Sequence, residues 1–378
     1  MRNEENYQND AQLRNQALTG IKETSIFNQL PSFNVVKNIS VDLMHDLFST
    51  GVCKYGLTAV LNYCIFKMKF ASLSEVNTRK RLISVAACDE ALSRMPDLEE
   101  SYLKIKKQKS VNIRTTATEM KSFCFYITFI LGPFFPKNDP VWDFCRTLVN
   151  LVDFALLPSF TEAEIEQLKQ IISKHHKLYV ELFEEKLKPK QHLLLHYPSV
   201  IQECGPVLNM MCFRFEAKHR EHKQYANVIS SRRNICYTLC LKYSLQFAYD
   251  VITSSFFENP NKGDFTVTKL SNRSYYGNLL YPIPFDCELE ILVSHKCRFK
   301  GTLYKTGLFL TRTRDHVTEL YEILEIITVV KDLFIVGQLW QCGPYNDHLL
   351  AYQALHSSVL KRIHNSTDFD GPLYRFIL

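Results

Sequence analysis

The hydrophobic period of this chain changes once, at Glu258-Asn259-Pro260-Asn261-Lys262-Gly263. Before that point apolar residues recur at helical spacing, almost without a break from Gly56 to Lys188. After it the runs are short and alternate like half-buried strands. A helix-period pattern does not settle as a strand, so one chain with two periods needs two architectures. The expected class is α+β, mostly helical, closing in a small antiparallel β domain. Glycine usage agrees: 12 glycines in 378 residues fall well below the roughly 7% that is usual, which favours long helices over tight turns.

Capping signals mark the helices. Thr116-x-x-Glu119 is a capping box opening a helix that runs into Leu131 and stops at Gly132-Pro133. Val141–Leu157 is a second helix, and Thr161-Glu162-Ala163-Glu164 opens a third that is expected to reach Leu187. Ser74–Ala87 is helical with Arg79, Lys80 and Arg81 expected on its outer face, and Asn234–Ser254 reads as a long apolar helix. Met1–Gly20 is polar and reads as a frayed lead-in, and Ile21–Leu30 as a short helix capped near Thr24. Two segments read as strands, Phe33–Val41 and Val207–Phe213. Beyond the change of period, strands are expected at Phe265–Leu270, Cys287–Val293, Arg298–Tyr304, Leu308–Arg312, Glu319–Val329 and Leu333–Leu339, with a turn at Lys331-Asp332.

Composition excludes several classes. Hydrophobic content of 46% and aromatic content of 12% mark a folded chain. The 12 cysteines form no CxxC pair, so a zinc ribbon or redox motif is not expected. Cys236 and Cys240, four apart, are expected to lie on one helix face as core residues. The most apolar runs, Ser122–Phe135 and Val141–Pro158, are too short or too charged to span a bilayer, so no membrane association is expected. The net charge of +6 permits nucleic-acid binding without requiring it.

The densest chemistry lies in Leu208–Lys223. On a helix Glu216, His219, Arg220 and Lys223 fall at i, i+3, i+4 and i+7 and share one face. That face serves either as a solvated amphipathic surface or as a carboxylate backed by cations that meets a metal ion and a phosphate backbone. Asp42 at the end of the Phe33–Val41 strand has the same two readings. It caps the following helix, or it is a metal ligand with His45 one helical turn above it. Two-metal phosphoryl transfer needs carboxylates that converge from separate elements, and Asp42 with Glu216 are candidates for two of them. Basic residues at Leu103–Arg114 and Arg214–Arg233, among them Lys218, Lys223, Arg232 and Arg233, are candidate phosphate contacts. His192 and His196 share a helical face at i, i+4, but HExxH is absent and no zinc site is assigned.

Taken in order, Gly20-Ile21-Lys22-Glu23, Ser40-Val41-Asp42-Leu43-Met44-His45-Asp46, Pro189-Lys190-x-His192, His196-Tyr197-Pro198, Gly205-Pro206 and Arg214-Phe215-Glu216-Ala217-Lys218-His219 resemble the transposases of CACTA (En/Spm-type) DNA transposons. The resemblance covers roughly Arg2–Ser254. It implies a DDE/D enzyme with an RNase H-like core interrupted by a helical insertion. Asp42 and His45 then match the family's D-x-x-H second acid, and Glu216 its third. The first catalytic Asp and its strand are expected ahead of Met1. The family shows an acidic residue and Gly after this point, whereas Ser49 and Thr50 precede Gly51 here.

The implied organisation is a partial RNase H-like core at 1–55, a helical insertion at 56–188, the remainder of the core at 189–257 and a small β-rich domain at 258–378. The implied function is that of a remnant of a two-metal DNA cleavage and strand-transfer enzyme, inactive by itself. Asp42 and Glu216 would hold Mg²⁺ or Mn²⁺ in the intact ancestor, with His45 orienting Asp42 or meeting a scissile phosphate. Lys218, His219, Lys223, Arg232 and Arg233 would face DNA, in a nuclear setting and with homo-oligomerisation open. Two other readings stand beside it: a domesticated DNA-binding or interaction module that uses neither acid, and a helical scaffold unrelated to DNA.

Overall fold

The computed structural model describes residues 3–38, 40–86, 89–103, 113–253, 262–273, 279–280, 290–299, 302–314, 317–329, 332–366, 369, 371–373 and 376–377. The helices, in chain order, are α1 (Glu4–Leu13), α2 (Gln16–Thr19), α3 (Val52–Asn62), α4 (Leu73–Ala86), α5 (Glu90–Arg94), α6 (Ala117–Leu131), α7 (Pro140–Ala155), α8 (Glu162–Phe183), α9 (Pro189–Leu194), α10 (Tyr197–Cys204), α11 (Phe213–Val228) and α12 (Ile235–Ile252). The strands follow as β1 (Lys262–Gly263), β2 (Thr266–Lys269), β3 (Leu279–Leu280), β4 (Glu290–Ser294), β5 (Lys296–Phe299), β6 (Thr302–Lys305), β7 (Phe309–Arg314), β8 (Val317–Val329), β9 (Asp332–Asn346), β10 (Ala351–Asn365), β11 (Gly371–Leu373) and β12 (Phe376–Ile377). The chain is therefore α+β, helical first and β-rich last. It divides into two compact units. One comprises Met1–Lys69, Leu98–Lys121 and Asn138–Glu216; the other comprises Phe70–Asp97, Ser122–Lys137 and Ala217–Leu378.

The core of the first unit is built on α3, α7 and α8. Asp139 caps α7 by accepting from the backbone N–H groups of Val141 and Trp142, with Pro140 at the first helical position. The polar residues Asp143, Arg146, Asn150 and Asp153 recur every three or four positions and none is buried, while Trp142, Phe144, Leu148 and Leu151 are buried. Gly56 of α3 lies against Leu148 and Phe144 so closely that a Cβ would sit 2.7 Å from Leu148 Cδ2. α8 starts on the expected capping box, Thr161 with Glu164, but ends at Phe183, where Glu184 takes a left-handed conformation. His175 of α8 is wholly buried, 5.1 Å from the Phe144 ring and beside His176 and Tyr179.

Several expectations in this unit are corrected. Among its described residues there is no β-strand, so the expected RNase H-like strands are not formed there. The described residues of Phe33–Val41 form turns and irregular backbone, not a strand. The Asn34 side chain accepts from the N–H groups of Val36 and Lys37, and Asn38 Oδ1 accepts from Asn34. Such local bonds compete directly with a strand ladder. Val207–Met210 is a 3₁₀ turn following Pro206. With no neighbouring strand to pair, its N–H groups are satisfied locally, as where Asn209 donates to the Pro206 carbonyl. The lead-in is not frayed: α1 carries a reciprocal Asn3–Asn6 capping box, and Tyr7 and Ala11 pack with Ile21, Val35 and Val36. Ile21–Leu30 contributes only a 3₁₀ turn at Ile26–Gln29.

In the second unit Lys80 is not on an outer face. Its side chain is only 2% exposed, and Nζ donates to the Met95 and Pro96 carbonyls and pairs with Asp97 at 3.3 Å. Arg79 likewise donates to the Phe129 and Ile130 carbonyls. Cys236 and Cys240 are exposed rather than core. α12 as a whole has no buried residue, and Tyr237, Leu245 and Ile252 are 63%, 62% and 82% exposed. The basic stretch at 104–112 lies outside the described residues.

The β region follows the change of period. One sheet runs β11-β7-β8-β9-β10-β12, with β4 on β8, β2 on β4 and β3 on β10; a second sheet runs β1-β5-β6. Pairing is antiparallel except for β3 and β12 against β10. The expected strand Arg298–Tyr304 is instead a hairpin, β5 against β6. Of the turn expected at Lys331-Asp332, Asp332 opens β9 and pairs with Val329, and Lys331 lies outside the described residues. Both faces near β7 are covered: Leu310 packs with Ile323, Ile326, Leu333 and Ile335, and Phe309 packs with Leu320 and Ala354.

Candidate functional site

Asp42 and Glu216 come together through His45. Asp42 precedes a turn of π-helix at Met44–Ser49, and its Oδ1 accepts from the Met44 N–H and the Cys212 N–H, each at 3.1 Å. Its Oδ2 pairs with His45 Nδ1. His45 Nε2 lies 3.1 Å from Glu216 Oε1, and Glu216 sits in the first turn of α11. One imidazole thus bridges two carboxylates drawn from segments far apart in sequence. The site is open: the Asp42, His45 and Glu216 side chains are 21%, 43% and 51% exposed.

The charges around it are ordered by burial. Burial raises the Asp42 carboxyl, but hydrogen bonds from His45, Cys212 and Met44 outweigh it and hold the group below its usual range. Burial and the bond to Asp42 push the Cys212 thiol up, which keeps it protonated and poorly nucleophilic. Within the π-helix, Asp46 is buried and raised by desolvation against the opposing pull of Lys190. Tyr197 Oη donates to Asp46 at 3.4 Å. Lys190 Nζ donates to the His45 carbonyl at 2.7 Å and to Thr50 Oγ1 at 2.8 Å, tying α9 to the turn that carries His45. Gly51 closes the π-helix hard against the Asp46 carbonyl, with no room for a Cβ.

Asp42, His45 and Glu216 were singled out from sequence; Lys190, Tyr197, Asp46 and Cys212 were not assigned roles. Lys190 and Tyr197 carry only the signal of membership in the runs Pro189-Lys190 and His196-Tyr197-Pro198, Asp46 closes the run that begins at Ser40, and Cys212 lies in none of the runs. The expected DNA-facing residues Lys218, His219, Lys223, Arg232 and Arg233 are all exposed, the first three on α11. Lys218 is already engaged, with Nζ 3.1 Å from Glu221 and over the Tyr243 ring.

The donor set bears on the expected Mg²⁺ or Mn²⁺. Among the described residues no three His, Cys, Asp or Glu side chains gather at metal-ligand spacing. Asp42 spends both oxygens on His45 and backbone N–H groups, and Glu216 directs Oε1 at the opposite edge of the same ring. In this arrangement the acids flank an imidazole and do not converge on a shared ion. Chemically, a carboxylate–imidazole–carboxylate chain at an open surface can hold or pass a proton. No helix among the described residues is long and apolar enough to cross a membrane. No protein-family profile, curated protein or solved structure matches the chain.

Proposed function

We propose that this chain derives from a CACTA-type DDE/D transposase, that it associates with DNA, and that it does not cleave DNA by itself. One observation carries the reading. Asp42 and Glu216, the two acids picked out by the resemblance, meet on one histidine, His45, which belongs to the same D-x-x-H motif. The exposed cations of α11 add to it, because a carboxylate with His219, Arg220 and Lys223 on one helix face suits an acid site beside a phosphate backbone. Nuclear residence and assembly with further copies belong to the same proposal. Mg²⁺ or Mn²⁺ chemistry belongs to the ancestor; here the two acids are coupled to each other through His45.

A second reading, a binding module that uses neither acid, draws on the same geometry. The bonds that Asp42 accepts from the Met44 and Cys212 N–H groups, with its pairing to His45, do structural work without any ligand.

Two assays on the 378-residue protein test these readings. Incubation of supercoiled plasmid with Mg²⁺ or Mn²⁺ should give no nicking above background. Nicking that disappears in Glu216→Gln would establish an active nuclease instead. Binding to duplex DNA should weaken with salt at a log–log slope of about −0.9 per phosphate contact, and substitution of Arg220 and Lys223 by Ala should flatten that slope. Binding untouched by Asp42→Asn favours the module reading. Absence of salt-sensitive binding sinks both.

A further inference from the structure

A cleft of about 970 Å³ lies among α1, the turns near Val36, α9 and α10, apart from the Asp42 site. His192 of α9 and His196 at the start of α10 stand in its wall, with Nε2 atoms 3.4 Å apart. Their ring centres are 5.1 Å apart and the planes cross at 79°. The two nitrogens are therefore closer together than the rings that carry them, and both rings lean toward a common point.

Only a few chemical arrangements fit that spacing. An N–H···N hydrogen bond between imidazoles would be shorter than 3.4 Å at its best. Two nitrogens on a tetrahedral Zn²⁺, each about 2.0–2.1 Å from the metal, stand roughly 3.3 Å from each other. The remaining wall favours a cation. Glu4, Asp10 and Glu203 line the cleft against one lysine, Lys37, whose Nζ is 3.6 Å from Glu4. Carboxylates without imidazole would suit Mg²⁺ or Ca²⁺; an imidazole pair selects the Zn²⁺, Ni²⁺ and Cu²⁺ class.

We infer that His192 and His196 form a two-imidazole site for a divalent transition-metal ion, with water completing the coordination and the acidic wall of the cleft raising the affinity. The backbone prepares the pair. Pro189 sets the first turn of α9, and Leu195 and His196 keep right-handed helical backbone between α9 and α10, which holds the two histidines one turn apart on one flank, in the wall of the cleft. This site stands apart from the reading of Asp42 and Glu216 and does not depend on it.

The test is titration of the full chain with Zn²⁺ by calorimetry, paired with electron paramagnetic resonance of the Cu²⁺ form to count coordinated imidazole nitrogens. The expected result is one ion per chain with two imidazole nitrogens. His192→Ala and His196→Ala should each weaken Zn²⁺ binding at least tenfold. Glu203→Gln should weaken it several-fold through charge alone, and the pair His219→Ala, His222→Ala on α11 should leave it unchanged. Circular dichroism of each variant confirms that the fold persists. Absence of saturable binding, or binding that survives loss of both His192 and His196, overturns the site. An unchanged affinity in Glu203→Gln overturns the part given to the acidic wall.

Discussion

α7 and α12 are two long helices with similar sequence character and opposite fates. Each carries a polar stripe: Asp143, Arg146, Asn150 and Asp153 on α7, and Lys242, Gln246 and Asp250 on α12. α7 turns its stripe outward, with Asp143 pairing to Arg146 and Lys174, and buries Trp142, Phe144 and Leu148. α12 buries neither its stripe nor its apolar side. Its neighbour α11 is polar on all sides, Lys242 lies over Tyr225, and Lys218 of α11 lies over Tyr243. Lys242 and Gln246 of the stripe stay exposed, and Tyr237, Leu241, Leu245, Tyr249 and Ile252 are exposed as well. Amphipathicity supplies a buriable face, and a packing neighbour decides whether it is used.

Substitutions can break this contrast. The largest effect is expected at Phe144→Ala, which removes a ring packed against His175, Tyr179 and Phe183 and should cost about 3–5 kcal/mol in chemical denaturation. Next is acid. Burial, with His176 beside it, holds His175 down to about 3, against about 6.5 in the unfolded chain. Between those values the unfolded state binds the extra proton. The stability His175 contributes is thus complete above pH 6.5 and is lost as pH falls, by up to about 1.4 kcal/mol per unit. Midpoints measured from pH 7 to pH 4 should show this slope, and His175→Phe should flatten it. Overpacking comes third: Gly56→Val places atoms into Leu148 and Phe144 and should cost about 1–3 kcal/mol by the same measurement. The smallest effect is expected on α12, where Leu245→Ser should shift stability by no more than about 0.5 kcal/mol. A loss at Leu245 comparable to that at Phe144 would show that α12 is covered in solution and would remove the contrast.

What could be read from sequence follows the range of the forces involved. Capping boxes at Thr116 and Thr161, the stop at Gly132-Pro133 and the change of period near Pro260 depend on neighbours a few residues away, and each is present in the fold. In Phe33–Val41 the side chains of Asn34 and Asn38 capture the backbone ahead of the strand preference of the β-branched residues. β10 carried no sequence signal because its pairing with β9 slips between Tyr352 and Ala354, between Leu355 and Ser357, and between Ser357 and Lys361. Such bulges erase the alternation that marks a strand. Lys80 looked like surface charge because nothing local announces the Met95 and Pro96 carbonyls that receive it. At the candidate site the two acids and His45 were legible as residue types at helix entries. The bridge through His45, and the part played by Lys190, depend on contacts between distant segments that no local pattern encodes.

The π-helix at Met44–Ser49 has a consequence for how this segment can vary. A π turn holds one residue more than an α turn, and one residue is worth about 100° of rotation around a helix axis. The extra residue sets the angle between two faces of the same short segment. His45, held by Asp42, reaches Glu216, while Asp46, Leu47 and Phe48 look inward. Removing one residue would restore a regular helix and turn one face out of phase with the other. Here side chains can be exchanged more freely than the count of residues can change, because the segment keeps its alignment by number.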